Sequence, residues 1–441
     1  MLFHFNAHSA LLLPFVVPGA LLVLFLLVRA ARTGARPDLL LAGLIAWPTL
    51  AVAQWLLGYA GWYDSHDAHS TFMFYVPWQV NLLLGPLWYL YFRALTNQAF
   101  RLRPGAGWHL LPGLLEIGLF AGAALLDLGW RRGLHKESLP DHFGTKGGAA
   151  TWLDELAGPL AYLGYALLLG YGGATLRAYR RYRRYLDDNF SETERLRFAG
   201  LRQVLILLLA GLALSLIYTG LEVVAGPFDY DTAWYAFAVR GGLIYALAVV
   251  GLQANYAAAT SPLRFEPAEA AMAPPPATTT VLAAALQPAA AGPTALTLGA
   301  RLGTTEGGRE SAAGAESVGG VLAAGLPPEL LELREQLLAL MVTAQPHLEP
   351  ELTLAELARR LRASPAVLSK VINAGCGQNF NDFVNTYRVA EARRQLAEPR
   401  RAHYSLLGVA LESGFNSKST FNRVFKKLTG QAPSEAARPK S

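Results

Sequence analysis

Apolar positions follow two different rhythms along this chain. Up to about Tyr256 they run for 18 or more residues at a time, and beyond about Glu329 they recur every three or four residues among charges. The first rhythm is that of helices surrounded by hydrocarbon, since about 20 helical residues cross the apolar core of a bilayer. Seven such runs stand out, at 10–28, 39–60, 72–94, 108–129, 158–178, 203–224 and 233–253. The second rhythm is that of amphipathic helices in a globular domain. Between them, Ala257 to Pro328 is Ala, Pro, Gly and Thr with few large side chains, too little apolar bulk to build a core. The expected fold is therefore all-α, in three parts: a seven-helix transmembrane bundle over 1–256, a disordered linker over 257–328, and a helical C-terminal domain over 329–441. About 65 flexible linker residues would span roughly 45 Å, which sets reach and transmits no rigid rotation.

Basic residues orient the bundle. The connections after the first, third and fifth runs carry Arg29, Arg32 and Arg36, then Arg93, Arg101 and Arg103, then the eight arginines of "RAYRRYRRYLDDNFSETERLRFAGLR". The alternate connections "GWYDSHDAHST" and "EVVAGPFDYDTA" have none, and the remaining one has Arg131, Arg132, Lys136 and Lys146. Fourteen against four puts the N-terminus outside and the C-terminal domain in the cytoplasm. No basic residue precedes the first run and no small-x-small cleavage site follows it, so it reads as a retained span.

Polar residues within the runs are few. Gln54, Gln79 and Asn81 suit interhelical hydrogen bonds. Arg240 costs about 2.5–3.5 kcal/mol to insert, so it should face protein or a water-filled cavity. It pairs in one reading with Glu222 or another outer acid and in the other with a ligand. Arg240, Glu222 and Glu116 are the candidate sensing residues. His66, His69, His135 and His142 lie in outer connections, but nothing in their spacing gathers the three or four ligands zinc requires. No nucleophile elbow, phosphate loop or metalloprotease helix appears, so neither catalytic nor metal residues nor a cofactor are expected. The single cysteine, Cys376, excludes an intramolecular disulfide and reads as a reduced structural thiol.

The C-terminal domain supplies most of the net charge of +6, with sixteen Lys and Arg against eleven Asp and Glu from Glu329 onward. After a leucine-rich helix at about 328–344, "TLAELARRLRASPAVLSKVIN" opens on a capping box, Thr353 with Glu356, and an apolar face of Leu354, Leu357, Ala358 and Leu361. A turn at Arg362–Ala363 leads to Ser364 as N-cap, Pro365 as first helical residue and a second helix to about Asn373. Helix, tight turn and helix is the helix-turn-helix layout. The pattern recurs in "SLLGVALESGFNSKSTFNRVFKKLTG", with a helix from Ser405, a turn at Gly414 and a helix capped by Ser417. Phe421, Val424, Phe425 and Leu428 form its apolar stripe, which leaves Lys418, Ser419, Asn422, Arg423, Lys426 and Lys427 for DNA. A long amphipathic helix, "NFNDFVNTYRVAEARRQL", joins the two units on Phe380, Phe383, Val384 and Tyr387.

Over about Leu348 to Glu435 the sequence resembles the AraC/XylS-type transcriptional regulators, and with its multi-span half it is similar to the membrane-embedded members of that family. The resemblance implies a bacterial protein of the cytoplasmic membrane that controls transcription, and it implies no known ligand. The expected partners are promoter DNA, the lipid bilayer, RNA polymerase, a second copy of the chain and an unidentified small-molecule or peptide signal. The family's base-reading positions fall on Ala366, Ser369 and Lys370, with Asn373 on the same helix, and on Ser419, Thr420 and Arg423. Ala366 replaces a larger side chain, Arg362 stands where a turn glycine is frequent, and Ala436 replaces an aromatic. Two other readings stay open: a receptor-like or transport-like membrane protein whose basic tail binds anionic lipid, and a DNA-binding domain that the bilayer half merely anchors. A membrane-bound enzyme lacks an acid–base or nucleophile set.

Overall fold

The computed structural model describes residues 4–97, 100–101, 104–194, 196, 199–226, 229–253, 327–398 and 405–437. The expected linker, apart from its last two residues, lies outside the described residues. Two compact units divide the chain, one of residues 1–182 with 197–265 and the other of 183–196 with 266–441. Both are helical, and among the described residues extended pairing is confined to two isolated bridges.

The first unit opens with α1 (Ala7–Thr33) and α2 (Arg36–Tyr59), packed as a hairpin. Asn6 caps α1 by accepting the Ser9 amide at 2.9 Å and donates to the Tyr59 carbonyl at 2.8 Å, which ties one end of the pair. At the other end Arg29 grips the fully buried Asp38 through two hydrogen bonds of 2.6 Å. Midway, a Cβ on Gly19 would come within 2.6 Å of the Thr49 hydroxyl, so the absent side chain lets the helices meet. Then come α3 (Ala68–Met73), α4 (Leu84–Thr96), α5 (Pro104–Gly107), α6 (Leu111–Ala124), a π-helical stretch Leu125–Leu134, α7 (Gly148–Asn189), α8 (Ala199–Ala225) and α9 (Tyr230–Gln253). Trp234 on α9 donates to the His8 carbonyl at 2.9 Å, and Phe237 stacks on Trp55 with ring centroids 4.4 Å apart.

Helix covers every apolar run, but the third is broken. Between Met73 and Asn81 the chain leaves the helix, where Pro77 lacks an amide donor and biases Val76 toward extended backbone. The buried Glu116 carboxylate accepts the Asn81 and Leu82 amides at 3.2 and 2.9 Å, satisfying donors at the restart. Gln79 donates to Gln54 of α2 at 3.2 Å, but from the non-helical break, so the bond joins helix to loop and not helix to helix as expected. By length and composition Ala7–Thr33, Arg36–Tyr59 and Gly105–Leu134 can each cross a bilayer, and Leu209–Glu222 is a shorter apolar helix.

The second unit holds the end of α7 and the segment after it together with α10 (Pro328–Thr343), α11 (Leu354–Arg360), α12 (Pro365–Lys370, continued by a π turn Val371–Gly375), α13 (Phe380–Ala397), α14 (Leu406–Glu412), α15 (Lys418–Thr429) and α16 (Pro433–Ala436). It has two cores. Leu337, Met341, Leu354, Leu357, Leu368, Ile372, Phe380, Phe383 and Val384 form the first, and Val389, Ala392, Val409, Phe415, Phe421, Val424 and Phe425 the second. α13 serves both, its first half facing one core and its second half the other.

Candidate nucleic-acid interface

The five helices α11 to α15 of the C-terminal domain each start where the sequence provides a side-chain cap. The Thr353 hydroxyl accepts the Glu356 amide while Glu356 accepts the Thr353 amide at 2.9 Å. Ser364 accepts from Val367, Asn379 from Asp382, Ser405 from Gly408 and Ser417 from Thr420. Such caps contribute about 1 kcal/mol each and fix where a helix begins, hence which residues face outward. α15 ends on Gly430 at φ 76°, its amide bonded to the Lys426 carbonyl.

On α12, Ala366, Lys370 and Asn373 are exposed and Ser369 is half-buried, accepting the Asn373 amide group at 3.2 Å. The helix continues two residues past the expected end at Asn373, through its π turn. On α15, Lys418, Ser419, Asn422, Arg423, Lys426 and Lys427 are exposed, opposite the buried Phe421, Val424 and Phe425. Leu428, expected in that stripe, is 40% exposed because it lies in the last turn, beyond the edge of the second core. Thr420 is buried: it accepts from Ser417 at 2.9 Å and donates to Glu194 at 2.5 Å. Arg423 donates to the other Glu194 oxygen at 2.9 Å, and Lys427 pairs with Asp382 at 2.8 Å.

The residue that periodic reading passed over is Arg388. It is 1% exposed and donates to the carbonyls of His347 at 2.7 Å and Glu349 at 2.7 Å and to the Ser191 hydroxyl at 3.1 Å. Burial pulls its guanidinium down to about 10, which leaves it charged at neutral pH. The His347 ring lies tilted against Tyr387, centroids 5.5 Å apart, and its pKa is held below the ordinary value by burial and by Arg388. A signal was present: Arg388 stands four residues from both Val384 and Ala392, on the buried stripe of α13. The Cys376 thiol, half-buried against the first core, is pushed up by burial, in keeping with a structural role.

In the first unit, the Arg240 guanidinium lies 5.0 Å from the Phe237 ring centroid, while Glu222 hydrogen-bonds Tyr218. His66 and His142 come together, ring centroids 5.0 Å apart, beside Phe143 and Phe74. His69 instead faces Asp67, and His135 the Trp130 carbonyl. Among the described residues no group of three or more His, Cys, Asp or Glu is placed to hold a metal ion.

Residues 357–438 match the family described as "Helix-turn-helix domain". An uncharacterized HTH-type transcriptional regulator of Bacillus subtilis (strain 168), YtdP, is 38% identical over 85 residues, which is 19% of this chain and 11% of that protein. Another, from Staphylococcus aureus (strain COL), is 33% identical over 89 residues, 20% of this chain and 12% of that one. The chain thus spans 11–12% of the length of these curated relatives. No solved structure matches.

Proposed function

Since residues 357–438 form a helix-turn-helix domain of the AraC type, we propose that this chain is a membrane-bound, sequence-specific transcriptional regulator that couples a signal at the membrane to promoter binding. The observation that carries this reading is α15, which holds a basic and polar face outward on a buried aromatic stripe, in the second of two capped helix-turn-helix units. In this reading α15 enters the major groove, where Arg423 and Ser419 meet base edges and Lys418, Asn422, Lys426 and Lys427 meet phosphates. Ala366, Ser369, Lys370 and Asn373 of α12 do the same in an adjacent groove. Thr420 joins the base contacts once its carboxylate partner leaves. RNA polymerase and a second copy of the chain are the protein partners.

The apolar residues of the first 253 positions support membrane insertion. α1 turns Leu11, Leu21 and Leu24 outward, each more than half exposed, and α6 does so with Leu114 and Leu115. Apolar faces of that extent mark a surface covered by something other than water. All seven apolar runs cross the bilayer in this reading, with the N-terminus outside and the helix-turn-helix domain in the cytoplasm, as the arginine asymmetry requires. Of the candidate sensing residues, Glu116 has both carboxylate oxygens engaged by backbone amides. The sensing role therefore centres on Arg240, with Glu222 through Tyr218.

The test is binding of duplex DNA by the full-length protein in nanodiscs, using a duplex selected from a random-sequence pool and its scrambled counterpart. A preference for the selected duplex is expected, with a log–log salt slope of about −0.9 for each phosphate neutralised. Equal affinity for both duplexes would remove the regulator reading.

A further inference from the structure

Residues 190–194 lie against residues 352–353, 381 and 388 of the C-terminal domain within the same compact unit, and Glu194 goes on to reach the face just described. The Phe190 and Thr353 backbones pair as an isolated antiparallel bridge. The Ser191 amide and hydroxyl both donate to the Leu352 carbonyl, at 3.2 and 2.7 Å. Asn381 donates to the Phe190 and Ser191 carbonyls at 3.1 and 2.8 Å, and Arg388 reaches the Ser191 hydroxyl. Phe190, Ser191 and Thr193 are all buried. From this anchorage Glu194 reaches α15, one oxygen taking Thr420 and the other Arg423.

A lone exposed carboxylate on an arginine would contribute about 0–1 kcal/mol and signify little. Here the carboxylate is delivered by a segment fixed at four other points, none of them on α15. It presents two acceptor oxygens to a neighbouring hydroxyl and guanidinium, the same donors that would address a pair of acceptors on a base edge. An oxygen 2.9 Å from the Arg423 nitrogen fills the place a base acceptor would need. Its charge also repels phosphates.

We propose that residues 190–194 are an internal occluder of the second recognition helix, with Glu194 as the residue that DNA must displace. The inference rests on the reading that α15 contacts DNA. Occluded and open forms then share one equilibrium, and apparent affinity scales with the open fraction. The segment follows directly from α7, so whatever draws it away frees Arg423 and Thr420 without any change in the recognition helix itself.

The experiment uses the full-length chain in nanodiscs with Cys376→Ser, since Cys376 is the single natural cysteine. Glu194→Cys and Thr420→Cys are introduced together, so that oxidation traps the contact and reduction releases it in the same molecule. Affinity is measured for a duplex selected from a random-sequence pool by the reduced form. The disulfide should form without DNA, and the oxidised form should bind about tenfold or more weakly than the reduced, as for a locked state of small open fraction. In the otherwise unaltered chain, Glu194→Gln and Asn381→Ala should each tighten binding several-fold. Asn381→Ala changes no charge and leaves α15 untouched, so its gain cannot come from removing a negative charge near DNA. Equal binding by the oxidised and reduced forms, or no tightening by Asn381→Ala, overturns occlusion and leaves DNA binding standing. Efficient cross-linking with no duplex bound by any form or variant overturns the DNA reading, and occlusion falls with it.

Discussion

The Arg388 guanidinium lies 5.8 Å from the centre of the Phe415 ring, at the seam where one helix-turn-helix core gives way to the other. Its hydrogen bonds hold the 346–349 turn, and Phe415 opens the second unit's recognition loop. Arg388→Met fills a similar space but leaves the His347 and Glu349 carbonyls without their donor. The buried His347 carbonyl so orphaned costs about 1–3 kcal/mol, and the part-buried Glu349 carbonyl costs less because water can reach it. Urea unfolding of residues 327–441, which we expect to fold alone, should show a loss of about 1–3 kcal/mol. Arg388→Lys should lose less, because an ammonium keeps the charge but cannot span both carbonyls. A loss below about 1 kcal/mol for Met would deny Arg388 this bridging role.

The two turns make opposite predictions. Gly414 has φ 86°, and a Cβ there would come within 2.4 Å of the His347 carbonyl oxygen. Gly414→Ala meets both the left-handed penalty and a backbone clash, so a loss above about 2 kcal/mol, or failure to accumulate folded protein, is expected. Arg362, in the matching turn of the first unit, has φ 52° with a side chain attached. Arg362→Gly should therefore be neutral or stabilising by up to about 1 kcal/mol. Thermal unfolding of the two variants side by side checks the pair.

Base contact and phosphate contact separate in binding assays. Arg423→Ala should reduce discrimination between selected and scrambled duplex by about 1–3 kcal/mol. Lys427→Ala should weaken both duplexes alike and lower the salt slope by about 1. Exchange of these two behaviours would mean that α15 lies in the groove in another orientation.

Arg240→Leu should insert normally but leave a transcriptional reporter at one level under all growth conditions. Arg240→Lys should be partly impaired, because lysine keeps the charge without the planar group that lies over Phe237. Membrane abundance measured beside reporter output distinguishes this from a structural role, which predicts less protein with normal regulation per molecule.

The C-terminal helices were legible because their ends are set locally. Thr353, Ser364, Ser405 and Ser417 cap where a side-chain acceptor followed by an apolar stripe says they should. The apolar runs were legible as helices for a different reason, their length and continuous hydropathy, since about 20 helical residues cross an apolar layer. The break in the third needed Pro77 to be weighed against the hydropathy of its neighbours, and the distant Glu116 to satisfy the amides it exposes. Glu194 was illegible: in "DDNFSETERLR" it reads as one acid in a solvated connection, and its partners lie 226 and 229 residues away. Leu428 shows the limit of periodicity, which gives a face but not where the core beneath it ends.

A chain held in the membrane that binds particular promoters through α15 should occupy them in the living cell. Genome-wide mapping of bound DNA in cells tests it most directly, with the full-length protein and its Arg423→Ala variant expressed at equal membrane abundance. Discrete peaks upstream of genes, sharing a sequence motif and lost in Arg423→Ala, are the predicted result. No enrichment over bulk DNA for the full-length protein, or peaks that Arg423→Ala leaves unchanged in position and height, would contradict it.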